Sequence, residues 1–337
     1  GGRHKAVAVA ALLFFFNGGL GFLYDFDLAF ADHFARVKEI FTGYYKTPAN
    51  QPDLNLRFSN VIADLMLPQR ALLGGWAMGI PALYLLISSV REKSYRQTAL
   101  LALWAAALPL VHTHTFLALA LFSGGYLLGN FIEHRADRCG ILLRAGLYLA
   151  VVLALALPQL VGNAVRQTLE GGALRFQFNW VNNSGGRGFK DGYFWFWVKN
   201  AGLPFILTVC ACLCARKRGN LDIVLGMTAI YVVAETILFQ PNEYDNNKLF
   251  YIWFMFAMIL AADYGSMLMQ RLAGLPGRAL LCGLFLWASV FSGALSLGRE
   301  AVSGYQLFSA NAVAAGEWIR ENTDRDDVFL TGQQHIN

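Results

Sequence analysis

Long apolar runs, separated by short breaks carrying charge, proline or glycine, organise this chain. A helix needs about 20 apolar residues to cross the hydrocarbon core of a bilayer. Nine runs approach that length, roughly 6–24, 70–90, 97–111, 115–132, 141–161, 193–214, 222–239, 248–266 and 279–297. The pattern predicts an all-α polytopic transmembrane helical bundle of about nine spans. The third and fourth runs are parted only by Pro109 and His112-Thr113-His114, so two spans or one re-entrant pair both fit. The first run follows a basic start, but no small-residue cleavage site comes after it, and it reads as a span rather than a signal peptide.

The breaks alternate in character. Arg3/Lys5, Arg91/Lys93/Arg96, Arg135/Arg138, Arg216/Lys217/Arg218 and Arg271/Arg278 fall in every second one. Basic short loops stay in the cytoplasm, so a nine-span chain with a cytoplasmic N-terminus satisfies all of them. The opposite, non-cytoplasmic side receives the 25–69 loop, the His112/His114 turn, the 162–192 loop, the Gln240–Asn247 turn and the tail. The expected setting is a bacterial cytoplasmic membrane.

From Gly298 the pattern changes. An amphipathic stretch, Ala310 to Glu321, precedes Asp326-Asp327-Val328-Phe329-Leu330-Thr331, which alternates like a helix leading into a short buried strand. The expected organisation is a transmembrane domain over 1–297 and the start of a non-cytoplasmic soluble α/β domain over 298–337. An opening without methionine and a stop just after the expected strand suggest a piece of a longer protein. No internal repeat or low-complexity tract is present.

Composition agrees. Of 337 residues, 56% are hydrophobic and only 15% charged, against about 25% charged in soluble domains. The mean hydropathy is +0.43. The formal charge of +5 sits in short clusters between apolar runs, a membrane-loop pattern that points to lipids as partners and away from nucleic acid. Cys210, Cys212 and Cys214, at the end of an apolar run, match no zinc or disulfide spacing.

The candidate chemistry lies almost wholly in the non-cytoplasmic breaks. Asp25, Asp27, Asp32 and His33 follow Asn17-Gly18-Gly19-Leu20-Gly21-Phe22 at a membrane exit, where a carboxylate can hold a divalent metal or act as a base. A solvated helix start capped by Asp25 or Asp27 is the competing reading. Pro68 suits the first turn of the span that Arg70 opens, and Arg70 can hold a phosphate or snorkel to ordinary headgroups. His112 and His114, two apart at a helix end, can meet a phosphate, a carboxylate or a metal, although two histidines do not complete a metal site. Glu235 through Lys248 is the richest segment, with Glu243, Asp245, two amides and Lys248 between two spans, and charges at that depth usually have a function. Lys199, inside a span opened by Tyr193-Phe194-Trp195-Phe196-Trp197, is expected to snorkel to the interface.

Four short segments carry a resemblance. Leu67-Pro68-Gln69-Arg70 and Asp245-Asn246-Asn247-Lys248 each open a span, His112-Thr113-His114-Thr115-Phe116 lies at a turn, and Ala314-Ala315-Gly316-Glu317-Trp318-Ile319-Arg320 precedes the expected strand. Together they resemble bacterial members of the C-type integral-membrane glycosyltransferase superfamily. The resemblance implies transfer of a sugar from a polyprenyl-phosphate carrier on the non-cytoplasmic face, by a carboxylate in the first outer loop. Asp25 and Asp27 occupy that loop here, with Asp245 a further carboxylate. Arg70, His112, His114, Glu243 and Lys248 would bind substrate or lipid phosphate. A transporter or lipid flippase using Glu235, Lys199 and Asp263, and a non-catalytic membrane scaffold, are the other functions the pattern admits.

Overall fold

The computed structural model describes residues 2–26, 33–42, 47–165, 174–183, 188–240, 242–304, 306 and 308–329. Contacts divide the chain into two units, Gly1–Glu300 and Ala301–Asn337.

The first unit is a helical bundle. Its longer helices are Gly2–Phe15, Arg70–Arg91, Tyr95–Ala107, Thr113–Glu133, Arg138–Gln159, Leu221–Thr236, Asn247–Arg271 and Arg278–Val302, with Tyr193–Ala201 and Leu203–Leu213 as a bent pair. The only sheet among the described residues is a two-residue antiparallel pairing of Arg175–Phe176 with Ile237–Leu238. Five helical segments are long and apolar enough to cross a bilayer: Arg70–Arg91, Thr113–Glu133, Arg135–Gly162, Glu243–Arg271 and Arg278–Val302. The chain is therefore a multi-pass integral membrane protein.

The count of five falls short of nine for reasons of length and continuity. At 1.5 Å per residue, the 13 residues of Tyr95–Ala107 reach only about 20 Å. The helices Gly2–Phe15 and Leu221–Thr236 have 14 and 16 residues. The expected 193–214 span is broken, and its two halves meet at 118°. Gly202 makes the break with φ of +76°, a conformation that costs glycine little. Pro204 then starts the next helix where its missing N–H leaves no orphan donor.

Asn247–Arg271 is the central helix. Half of its apolar window is buried, and it packs on Gly2–Phe15, Leu203–Leu213, Leu221–Thr236 and Thr113–Glu133. Its aromatic face supplies much of the core: Phe256 stacks on Phe122 at 4.1 Å, Tyr251 on Phe58 at 4.4 Å, and Trp253 meets Trp197 edge-on at 5.4 Å. The outer helices instead present leucines such as Leu142, Leu143, Leu280 and Leu281 to the surroundings, as lipid-facing helices do.

Glycine seams set the closest approaches. Gly125 and Gly129 lie one turn apart, and a Cβ on either would sit 2.3 Å from the Leu225 carbonyl oxygen or the Asp222 Cα. Thr113–Glu133 and Leu221–Thr236 thus pack backbone to backbone, the arrangement small-xxx-small spacing permits in lipid. Gly75 and Gly79 on Arg70–Arg91 instead make room for side chains: added Cβ atoms would meet His112 Cβ at 2.6 Å and Thr115 Cγ2 at 2.7 Å. That second seam fixes where His112 stands.

In the second unit the described structure is one helix, Ala310–Asn322, capped by Ser309, whose hydroxyl accepts from the Ala312 N–H at 3.1 Å. Val328 and Phe329 carry no strand, and Leu330 and Thr331 lie outside the described residues.

Candidate functional site

The non-basic breaks meet at one end of the bundle, tied by asparagines. Asn17 Nδ2 donates to the Ala201 carbonyl at 2.8 Å, and Asn60 Nδ2 donates to the carbonyls of Phe15 and Asn17 at 2.9 and 2.8 Å. Asn200 Oδ1 accepts from the Arg57 and Phe58 amides at 2.6 and 3.0 Å, while its Nδ2 donates to the Asn55 carbonyl at 3.1 Å. All four asparagines are buried. An irregular backbone inside an apolar fold must satisfy its amides and carbonyls internally, and these side chains do so where the helix breaks after Ala201.

At the same break stands Lys199, only 3% exposed. It does not snorkel. Its Nζ donates to the Leu54 carbonyl at 2.7 Å and pairs with the Asp191 carboxylate. Asn55 donates to the same carboxylate at 2.8 Å. Burial works against the charged form of Asp191, but the bonds from Lys199 and Asn55, with the Lys199 charge, hold its carboxyl below the usual carboxylate range. Asp191 and Asn182 close a loop on each other, Asn182 Nδ2 donating to the Asp191 carbonyl at 2.8 Å and the Asp191 amide to Asn182 Oδ1 at 3.0 Å.

A second group assembles from two helix starts. His112 caps the Thr113–Glu133 helix, its Nδ1 within 2.8 Å of the Thr115 hydroxyl and 3.3 Å from the Thr115 amide that donates to it. The His112 and His114 rings lie 5.5 Å apart. Lys248 lies within electrostatic reach of both imidazoles, and Asp245 within reach of His114. Lys248 Nζ and Asp245 are themselves paired at 2.8 Å. His114 Nε2 is buried with no hydrogen-bond partner. An orphaned ring nitrogen beside a lysine is a place where an oxyanion can be received.

Asp64 lies on a single π-helical turn, Ile62–Met66, just before the Arg70 helix. π-turns recur at functional sites. Burial is the main cause that pushes the Asp64 carboxyl up to about 6; the charge of Glu300 adds to it and a bond from the Ser59 hydroxyl opposes it. Ser59 also contacts the Tyr244 hydroxyl at 3.0 Å, and Tyr244 feels the charges of both Asp64 and Arg57. Since Tyr244 adjoins Asp245, the carboxyl and the histidine–lysine group are linked through one short segment.

The structure thus brings His112, His114, Asp245 and Lys248 together. Glu243 lies on the same turn but pairs with Arg175 at 3.3 Å. Asp25 is buried and accepts both bonds from Gln51 Nε2, at 2.8 and 3.0 Å, so its carboxylate is held within the first loop. Asp27 lies outside the described residues. Arg70 is exposed at the first position of its helix and makes no ion pair among the described residues. No group of three or more His, Cys, Asp or Glu side chains among the described residues is placed to hold a metal. Asp64 and Asp191 are functional candidates that the sequence pattern did not single out, and Lys199, expected to snorkel or to serve a transporter, is instead buried against Asp191. Asp64 preceded an arginine that drew attention to itself, whereas the Lys199-Asn200-Ala201-Gly202-Leu203-Pro204 string did signal a break.

Comparisons with family models, with curated proteins and with solved structures returned no match.

Proposed function

We propose that this protein is a membrane glycosyltransferase that moves a sugar from a polyprenyl-phosphate carrier to an acceptor hydroxyl on the non-cytoplasmic face. The observation that carries the reading is that His112 and His114, at one helix start, lie within electrostatic reach of Lys248, at another, at the bundle end that also holds a carboxyl raised to about 6. In this reading the three shorter helices and the bent pair complete nine crossings, and the basic breaks face the cytoplasm.

Asp64, as carboxylate, takes the acceptor O–H proton. The acceptor oxygen then attacks the anomeric carbon, and the carbon–oxygen bond to phosphate breaks with its electron pair leaving on the carrier. In this reading Lys248 and the orphaned Nε2 of His114 supply the donors that the departing phosphate charge needs. Arg70, at headgroup depth, serves the carrier rather than the reacting atoms.

The test is incubation of the purified protein with labelled polyprenyl-phosphate sugars and a mixture of acceptor glycans. Transfer that Asp64→Asn abolishes supports the reading. Absence of both transfer and donor binding across a broad donor panel rejects it.

One observation favours a second reading. Glu235 is 2% exposed, and neither carboxylate oxygen has a hydrogen-bond partner, as expected of an ion-carrying group in a transporter. Of its expected companions, Lys199 is committed to Asp191 and Asp263 to Arg218. Flux into liposomes that Glu235→Gln abolishes would establish the transporter.

A further inference from the structure

The other end of the bundle contains a site of its own. A cavity of about 800 Å³ opens there among the ends of Arg70–Arg91 and Thr113–Glu133 and the starts of Arg138–Gln159 and Leu221–Thr236. Its floor is polar and buried, with Tyr126 at 2% and Asn130 at 4% exposure. Its wall carries Arg91, Lys93, Arg135, Arg138 and Arg216. Glu133, Asp137 and Asp222 face the same space, leaving positive charge in excess.

How those charges are already used decides what the cavity can take. Asp137 is bound by Arg144 at 2.7 Å and lies 3.7 Å from Lys93. Arg138 donates to the Phe131 carbonyl at 2.9 Å and covers the Phe131 ring. Asp222 accepts from Asn130 at 3.1 Å and from the Ile223 amide at 2.8 Å. Arg91, Arg135 and Arg216 have no carboxylate within ion-pair distance among the described residues. Three guanidinium groups from three separate breaks therefore surround one volume with their donors unspent. The planar fork of arginine matches phosphate oxygens two at a time, and the volume suits a small polyol headgroup as well as its phosphate.

We infer that this cavity binds a phosphate-bearing headgroup, supplied by an acidic phospholipid of the surrounding membrane. Arg91 closes one spanning segment, Arg135 opens another, and Arg216 lies in the short helix Ala215–Arg218 just after Leu203–Leu213, which sets them at headgroup depth, where anionic lipid is concentrated.

The experiment uses the full chain, stripped of lipid in detergent, with binding of phosphatidylglycerol and phosphatidylcholine measured by native mass spectrometry. Phosphatidylglycerol should bind at least ~10-fold more tightly. The triple variant Arg91→Gln/Arg135→Gln/Arg216→Gln should remove that preference, whereas Arg271→Gln/Arg278→Gln, on another basic break, should keep it. In the wild-type protein, phosphatidylglycerol but not phosphatidylcholine should protect Arg91, Arg135 and Arg216 from phenylglyoxal, a readout that needs no variant to fold. Pyrophosphate as competitor separates the sources: displacement of the lipid assigns the site to soluble phosphates, and persistence of the lipid assigns it to the membrane. Equal affinity for the two lipids, equal loss in the control pair, or no protection of the three arginines overturns the site.

Discussion

Lys199 Nζ, buried where the Tyr193–Ala201 helix ends, pairs with the carboxylate of Asp191 eight residues earlier and donates to the Leu54 carbonyl at 2.7 Å. Removing one partner of a buried pair strands the other charge at a cost of about 3–5 kcal/mol. Asp191 keeps 23% side-chain exposure, so Asp191→Ala is expected at about 3 kcal/mol. The surface pair Arg175–Glu243 should contribute under about 1 kcal/mol. Thermal unfolding in detergent compares them; equal losses for Asp191→Ala and Glu243→Ala would show that Lys199 finds another way to be solvated.

Asp64 gives a pH signature of known sign. Its carboxyl is raised in the folded protein to about 6, mainly by burial. A raised carboxyl favours the folded state fully below its unfolded value and loses that contribution as pH rises through the folded value. Stability should therefore fall by about 2–3 kcal/mol between pH 4 and 7 on this group's account. Asp64→Asn should flatten that part of the profile in melts taken across the range. An unchanged profile would remove Asp64 as the titrating group.

If Asp64 takes the acceptor proton, the rate of transfer should rise with pH through about 6, the opposite direction to stability. That opposition separates a catalytic role from a structural one. A rate that falls over the same interval would exclude Asp64 as the base.

Lys248→Gln should lower transfer by about 100-fold, the usual scale for losing one donor to a developing anion. Lys217→Gln, exposed at the opposite bundle end, should leave it unchanged. Steady-state rates with a labelled carrier distinguish them, and equal rates for Lys248→Gln and wild type would take Lys248 out of the phosphate path.

The glycine seam can be tested by neighbours. Gly125→Ala drives a Cβ to within 2.3 Å of the Leu225 carbonyl oxygen, whereas Gly124→Ala meets nothing within 4 Å. The first should destabilise by about 1–3 kcal/mol through overpacking. The second should be neutral or slightly stabilising, because alanine is the better helix former. Denaturant unfolding of the two variants measures the difference, and similar stabilities would mean the helices part without cost.

Membrane residence was legible from apolar runs alone, because a bilayer demands length and internal hydrogen bonding of any helix that crosses it. So was the sorting of charge, since Arg91, Arg135 and Arg216 do line one cavity and His112 and Lys248 do share another locality. Run length could not tell a crossing from a break: the 193–214 run is as apolar as its neighbours but turns by 118°, a decision made by one positive φ at Gly202 and the asparagines that satisfy the freed backbone.

What the sequence determined by itself was the solvent of each segment, since hydropathy and charge are properties of residues in order. What only the tertiary structure decided was which polar groups are already partnered. Lys199 is spent on Asp191, Asp25 on Gln51, and Asp64 is left with a raised carboxyl. Partnership depends on distances between segments far apart in the chain, and desolvation depends on everything packed around a group, so neither is written in local order.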